Sequence, residues 1–250
     1  TTGVENTLIG GLAGDALTDA DYNVAVGVYA LSGDTKGSKS VAIGRSALQV
    51  QNFTTATDAF NIAIGFQAGD SITTGVQNTI VGSQAGDALV DADYNVAIGK
   101  SALTTDTYGS RSVAIGQESL ATQNFTTATD AYNVGVGFYA GKSVTTGTLN
   151  TLIGSSAGAA ITTGVQNTIV GSQAGDALSD ADFNIAIGTD ALTADTKGSR
   201  SIAIGRRTLY AQNFTTSTDA YNTAVGFEAG NDITTGINNT LVGALSGDAL

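Results

Sequence analysis

A short motif ending in glycine recurs fourteen times along the chain, and this repeat constrains the fold more than any other feature. Each copy reads Asn or Ser, two variable residues, Ile or Val, and Gly, and successive glycines are 17 or 21 residues apart. Four consecutive spacings make a super-repeat of 72 residues, and the thirteen spacings comprise three super-repeats and one additional 17-residue unit. Such a repeat predicts units that contact mainly their neighbours.

An identical stretch shows how the additional copy is accommodated. The sequence ITTGVQNTIVGSQAGDAL occupies 72–89 and again 161–178, so the two stretches are separated by one super-repeat plus one 17-residue unit. A globular core does not easily accept a 17-residue insertion between its elements, whereas a solenoid grows by whole turns. The repeat therefore predicts a β-solenoid with one turn per unit.

The unit is β rather than α, because it is a short β-branched run that ends at Gly. We expect one strand in the Asn-x-x-Ile/Val-Gly segment and a second near the Ala-Gly or Ala-Leu segment that follows. The prediction is an all-β, parallel β-solenoid of about fourteen turns, a single segment over 1–250. Since both ends read as interrupted units, we expect a piece of a longer array.

The residue before each Gly is always Ile or Val, which predicts an aliphatic ladder that forms the core. Neighbouring strand residues face opposite sides, and apolar residues occur on both, so both faces are expected to be covered. Covering the second face with other copies of the chain predicts an oligomer. The ladder comprises Ile9, Val26, Ile43, Ile64, Val81, Ile98, Ile115, Val136, Ile153, Val170, Ile187, Ile204, Val225 and Val242.

The segments SVAIGRSAL (40–48), NVAIGKSAL (95–103) and SVAIGQESL (112–120) resemble the head repeats of trimeric autotransporter adhesins, the YadA-like family. Similar units occur in phage tail fibres, and the resemblance extends over all fourteen units. It implies a left-handed parallel β-roll, three chains side by side in a parallel homotrimeric fibre, and an extracellular location on a bacterial cell or a phage virion.

Composition excludes several functions. The net charge of −12 argues against nucleic-acid binding, which needs clustered Lys and Arg. The chain has no His or Cys, the residues of most nucleophilic and metal chemistry, and no unique cluster interrupts the repeat. We therefore expect no enzyme activity, no catalytic residue and no cofactor. No apolar run is long enough to enter a membrane directly.

An Asp-Ala-Asp-Tyr/Phe-Asn motif resembles the start of a calcium loop. It lacks the Gly at position 6 and the Glu at position 12 that an EF-hand requires. We favour turns whose Asp and Asn side chains bond the backbone, with calcium between turns as the alternative and otherwise no metal site. The candidate calcium ligands are Asp19, Asp21, Asp91, Asp93, Asp180 and Asp182.

The 21-residue units carry an expanded segment, QNFTTATDAFN (51–61) in its first copy. Its aromatic ring and hydroxyls could bind a sugar, or the Phe could fold back as a local plug or pack across a trimer. The predicted ligand-binding residues are Phe53, Thr54, Phe125, Thr126, Phe214 and Thr215.

Two further polar patterns accompany these units. Asn at the start of most units predicts a structural Asn ladder. A basic residue before the Ser that replaces this Asn (Lys39, Arg111 and Arg200) could bind acidic glycans or pair with Asp on a neighbouring chain, which we favour.

Three functions are therefore considered. The first is a rigid, non-enzymatic fibre or adhesin segment that displays repeated loops for attachment. The second is a glycan-binding module that uses the expanded loops to contact cell-surface glycans. The third is an ice-binding solenoid that uses Thr-rich edges.

Overall fold

The computed structural model describes residues 2–248 and is an all-β parallel β-solenoid of about fourteen turns. Two compact units, Thr1–Ala131 and Tyr132–Leu250, each contain seven turns. No helix occurs between residues 2 and 248. That 1–250 form a single solenoid segment stays a prediction.

Each turn of the first unit contributes one three-residue strand to a parallel ladder. Thr7 pairs with Val24, and Val24 with Val41, so equivalent residues of successive turns lie side by side. The other strands are short pairs at the expanded turns. The strands are β1 Thr7–Ile9, β2 Val24–Val26, β3 Gly37–Ser38, β4 Val41–Ile43, β5 Thr57–Asp58, β6 Ile62–Ile64, β7 Thr79–Val81, β8 Val96–Ile98, β9 Gly109–Ser110, β10 Val113–Ile115 and β11 Thr129–Asp130.

The second unit repeats this arrangement, with Thr151 paired to Thr168 and Thr168 to Ile185. One short pair marks its expanded turn. Its strands are β12 Val134–Val136, β13 Thr151–Ile153, β14 Thr168–Val170, β15 Ile185–Ile187, β16 Gly198–Ser199, β17 Ile202–Ile204, β18 Thr218–Asp219, β19 Thr223–Val225 and β20 Thr240–Val242.

Two separate constraints require glycine after the three-residue strands. Gly27 has a φ of 139°, a conformation that residues with a β-carbon rarely adopt. A β-carbon there would also lie 2.5 Å from the carbonyl oxygen of Gly44 in the next turn. The repeat therefore ends the three-residue strands at Gly because a side chain there would meet the backbone of the next turn.

The core lies inside each turn and is built on the middle residue of the strand. Three filling patterns occur, and in one of them both the middle residue and the facing residue are small, as in Ala63 and Gly69. In apolar turns a large middle residue such as Ile80 faces a Gly, and a β-carbon on Gly86 would lie 3.0 Å from Ile80 Cδ1 and 2.9 Å from Leu89 Cδ1. In the turns that carry polar side chains inside, the middle residue is Ala and the facing residue is a buried Leu, as in Ala25 and Leu31.

The prediction that the Ile/Val ladder forms the core is wrong for the chain by itself. The ladder residues stack in register, but they face outward with the first residue of each strand, because alternate strand residues point to opposite sides. Ile43, Ile64 and Ile98 are 36–38% exposed. All fourteen are half-buried or exposed: Ile9, Val26, Ile43, Ile64, Val81, Ile98, Ile115, Val136, Ile153, Val170, Ile187, Ile204, Val225 and Val242.

The second strand expected in each turn is also absent from residues 2–248, where the Ala-Gly and Ala-Leu segments are turns. Tyr29 and Leu31 have φ values of 61° and 53°, which no strand contains. Successive turns nevertheless bond here, since Leu31 N donates to Ala47 O at 3.0 Å.

The Asn ladder is confirmed. Asn23 is fully buried, accepts the backbone N–H of Ser40 at 2.9 Å through Oδ1, and donates from Nδ2 to Gly37 O at 2.9 Å. Asn78 does the same for Asn95 N and Ala92 O. Each Asn thus satisfies two backbone groups that would otherwise be buried without partners.

Candidate functional site

Each expanded turn shares a buried polar network with the turn before it, and sequence reasoning missed this network. Asp34 is fully buried and accepts three hydrogen bonds, from Gly37 N at 3.0 Å, Phe53 N at 3.1 Å and Gln51 Nε2 at 2.6 Å. All three donors are neutral, so the carboxylate is held by hydrogen bonds alone.

The Ser that interrupts the Asn ladder belongs to the same network. Gln51 Nε2 also donates to Ser40 Oγ at 3.2 Å, and Gln51 Oε1 accepts from Asn61 Nδ2 at 2.9 Å. The small Ser leaves space for the glutamine amide, which takes over the contact that a ladder Asn would make. The coincidence of Ser, Gln and Asp within each super-repeat was the sequence signal for this network.

The network recurs once per super-repeat with nearly constant geometry. Asp106 accepts from Gly109 N, Phe125 N and Gln123 Nε2 at 3.0, 3.0 and 2.5 Å. Asp195 makes the equivalent bonds at 3.0, 3.0 and 2.6 Å. The repetition identifies a structural module rather than a single active site.

Of the alternatives for the Phe residues of the expanded loops, the local plug describes the structure. Phe53, Phe125 and Phe214 are only 6–7% exposed. A β-carbon on Gly37 would lie 2.7 Å from Phe53 Cδ2, so the ring covers that glycine. Their burial leaves no ring face for a sugar. The adjoining hydroxyl residues, by contrast, are exposed: Thr54, Thr126 and Thr215.

The basic residues pair with Asp, but within the same chain. Lys39 Nζ lies 2.6 Å from Asp58 Oδ2, Arg111 Nε lies 2.8 Å from Asp130 Oδ1, and the equivalent Arg200 to Asp219 distance is 2.9 Å. The pairing expected with a neighbouring chain is therefore wrong for these contacts. Each Asp lies in the short strand after the expanded loop.

These ion pairs are bordered by exposed aromatic rings. Lys39 Nζ is 5.1 Å from the Phe60 ring centroid, and Arg111 Cζ is 4.7 Å from that of Tyr94. Arg200 lies 4.8 Å from Phe183 and 5.9 Å from Tyr221. Hydrogen bonding to Asp219 raises the pKa of Arg200 above its ordinary value.

The candidate calcium ligands mostly bond the preceding turn. Asp19 Oδ1 accepts from Thr2 Oγ1 at 2.6 Å and Asp91 Oδ1 from Thr74 Oγ1 at 2.8 Å. The second Asp of each motif accepts a backbone N–H, as Asp93 Oδ1 does from Val76 N at 2.8 Å. The backbone bonding favoured from the sequence thus occurs, although between turns rather than within one. These residues are Asp19, Asp21, Asp91, Asp93, Asp180 and Asp182.

Among residues 2–248, no group of three or more acidic, His or Cys side chains is arranged to hold a metal ion. Within the same residues, no helix could cross a membrane.

Two acidic side chains lie together in a less favourable environment. Burial raises the pKa of Asp70, and repulsion by Asp87 raises it further, while Arg45 lowers it. Asp70 Oδ1 is buried without a hydrogen-bond partner. Burial also raises the pKa of Asp87, which Thr104 Oγ1 opposes by donating at 2.6 Å.

Many Thr hydroxyls of the predicted ice-binding edge are used inside the chain. Thr73, Thr145 and Thr162 each donate to a carbonyl oxygen of the next turn, at 3.1–3.2 Å. Hydroxyls engaged in this way are used within the chain, so this part of the edge gives the ice-binding hypothesis no support, and ice binding stays a prediction.

One cavity of about 280 Å³ lies beside the first turn. Its only titratable lining residue is Glu5, which offers no partner for acid–base chemistry. Its lining residues are Gly3, Glu5, Asn6, Leu8, Gly14, Leu17, Thr18 and Ala20.

Comparison with known proteins identifies no relative. No protein-family model matches the chain, and no significant match was found among curated proteins or solved structures.

Proposed function

We propose that the chain is a structural segment of an extracellular fibre or adhesin, carried by a bacterial cell or a phage virion. It acts without catalysis or a cofactor, as a rigid rod that displays its expanded loops for attachment. The likeness of its units to YadA-like head repeats and phage fibre repeats supports this location and a left-handed β-roll.

The observation that carries the proposal is the outward aliphatic face of the strands. In each turn the first and third strand residues point away from the core, and they stack in register, as Ile62 and Ile64 do on Thr79 and Val81. Ile62 and Ile64 are both 38% exposed. Continuous exposed apolar surfaces mark association sites, and other copies of the same chain match this one turn by turn. We therefore propose a parallel homotrimer.

Sedimentation equilibrium tests the proposal. The chain should sediment with three times its own mass, and Ile43→Glu, Ile64→Glu and Ile98→Glu together should convert it to a monomer, because buried unpaired carboxylates oppose association. Thr54→Glu and Thr126→Glu, on the expanded loops, are the matched controls and should remain trimeric. A monomeric unmodified chain would contradict the proposal.

The cellular location is tested separately. Antibodies raised against the chain should label intact cells or intact virions of the source, and the labelled particle distinguishes an adhesin from a phage fibre. Labelling only after lysis would remove the extracellular assignment.

A glycan-binding module is the second candidate. The observation that favours it is that each super-repeat presents an expanded loop with an exposed Thr (Thr54, Thr126 and Thr215). Three equivalent sites on one chain suit multivalent contact with cell-surface glycans.

A further inference from the structure

An exposed column of side chains runs along the position just before the ladder Asn or Ser. In each turn this residue has a positive φ, for example 60° at Tyr22 and 51° at Phe60. Residues with a β-carbon seldom take this conformation, and bulky ones least of all. Aromatic rings nevertheless occupy it in several turns, and they are 41–53% exposed. The rings are Tyr22, Phe60, Tyr94, Tyr132, Phe183 and Tyr221.

The rings lie outside the core. At each expanded turn one ion pair lies next to them. Lys39 lies one turn after Tyr22 and one turn before Phe60, and it bonds Asp58. Arg200 holds the same place between Phe183 and Tyr221. Adjacent turns of a parallel sheet are about 4.8 Å apart, so rings two turns apart are separated by about 10 Å, close to the length of a disaccharide.

Charge limits what such a surface can bind. Each cation already has a carboxylate at 2.6–2.9 Å, and the chain carries a net charge of −12. Both features oppose an acidic polymer. What remains is an exposed aromatic ring, one side of which faces the Lys or Arg, next to a hydrogen-bond donor and an acceptor, and this combination matches the C–H face and adjacent hydroxyls of a neutral sugar.

We propose that these three basic–acidic–aromatic patches bind neutral saccharides. The patches are Tyr22, Lys39, Asp58 and Phe60; Tyr94, Arg111 and Asp130; and Phe183, Arg200, Asp219 and Tyr221. In each, one sugar hydroxyl donates to the Asp carboxylate, its neighbour accepts from the Lys or Arg, and the sugar ring packs on the exposed aromatic side chain. This inference rests on the second candidate function. It assigns the sugar contact to the exposed aromatic column instead of to Phe53, Phe125 and Phe214.

The patches are open to solvent, so one patch alone binds weakly. Three equivalent patches on one chain raise the overall affinity for a surface that repeats the same sugar, since later contacts become intramolecular. Binding should therefore depend steeply on the number of intact patches.

The test uses the full chain and a panel of immobilised neutral oligosaccharides of hexoses and N-acetylhexosamines, with a sulfated polysaccharide as the charge control. The ring variant is Phe60→Asn, Tyr94→Asn and Tyr221→Asn, because Asn tolerates a positive φ. The ion-pair variant is Lys39→Gln, Arg111→Gln and Arg200→Gln. The matched control is Phe66→Ser, Phe138→Ser and Phe227→Ser, which removes three rings of similar exposure from another corner of the turn.

We expect the unmodified chain to bind at least one neutral oligosaccharide, both patch variants to lose affinity by about tenfold or more, and the control to bind normally. The inference is overturned if no neutral sugar binds, if only the sulfated polysaccharide binds, or if the control loses as much as the ring variant. Sedimentation of the same samples separates this outcome from the fibre proposal, because the proposed trimer contact is the outward strand face.

Discussion

Two neighbouring kinds of turn fill the same interior in opposite ways. The apolar turn around β7 places Ile80 and Leu89 against Gly86. At the first expanded turn, Leu48, Gln51 and the carboxylate of Asp34 from the preceding turn occupy the interior, all fully buried. The difference teaches that a solenoid turn accepts polar contents when every buried group is bonded, and that this polar filling accompanies the four added residues.

The largest loss of stability is expected when the buried polar network is disrupted. Asp34→Ala removes the shared acceptor of three buried donors, and each unpaired buried donor costs about 1–3 kcal/mol, so the loss of stability should be about 3 kcal/mol or more. Urea unfolding measures it.

The matched control is Asp58→Ala, which removes an exposed ion pair of the same expanded turn and should change stability far less. Equal effects of the two substitutions would show that the buried network contributes nothing beyond a surface charge pair.

The stability of the apolar turns should depend on the volume of their buried side chains. Ile80→Ala leaves a cavity between Gly69 and Gly86, whose positions lie against Ile80 Cδ1, and should cost about 2–4 kcal/mol. Thermal unfolding provides the measurement, with Val50→Ala as the control because Val50 lies outside the strands and is 45% exposed. If both variants unfold at the same temperature, the placement of Ile80 in the core is incorrect.

The smallest expected change in stability concerns Asp70, a carboxyl group whose Oδ1 atom is buried without a hydrogen-bond partner. Because burial and Asp87 raise the pKa of Asp70, its ionised form opposes folding. This destabilisation is absent below the unfolded pKa, near 4, and grows as pH rises through the folded pKa. Asp70→Asn should therefore raise the unfolding temperature by about 1–3 °C at pH 7 and by nothing near pH 3.

Asp15→Asn is the matched control, since Asp15 holds the equivalent place in the first turn but is exposed. A gain at Asp70→Asn that persists at pH 3 would contradict the electrostatic explanation.

Much of the fold could be predicted from the repeat, whereas the side chains inside it could not. The strand positions and the Asn ladder follow from Gly spacing and from a polar residue at one fixed place. The Ile/Val ladder was placed inside because it is the most regular apolar feature, yet the smaller Ala25 and Ala42 occupy the interior. Regularity alone does not distinguish the two faces when both are apolar.

The polar network shows a second limit. Asp34 and Gln51 are 17 residues apart, and either could have been a surface residue of a turn. Only stacking of the turns brings the Gln51 amide within 2.6 Å of the carboxylate. The same stacking directs Lys39 to Asp58 on its own chain instead of to a neighbouring one.

The sequence by itself determined the solenoid, its turn length and the glycines at which strands end, because in a repeat each turn contacts mainly its neighbours and local rules suffice. The tertiary structure alone decided which strand face is inside, that Phe53 closes over Gly37, and that a buried carboxylate replaces an apolar side chain. The physical reason is that positive φ values at residues such as Tyr29 and Leu31 curve each turn and set the inward direction, and a linear pattern does not specify that curvature.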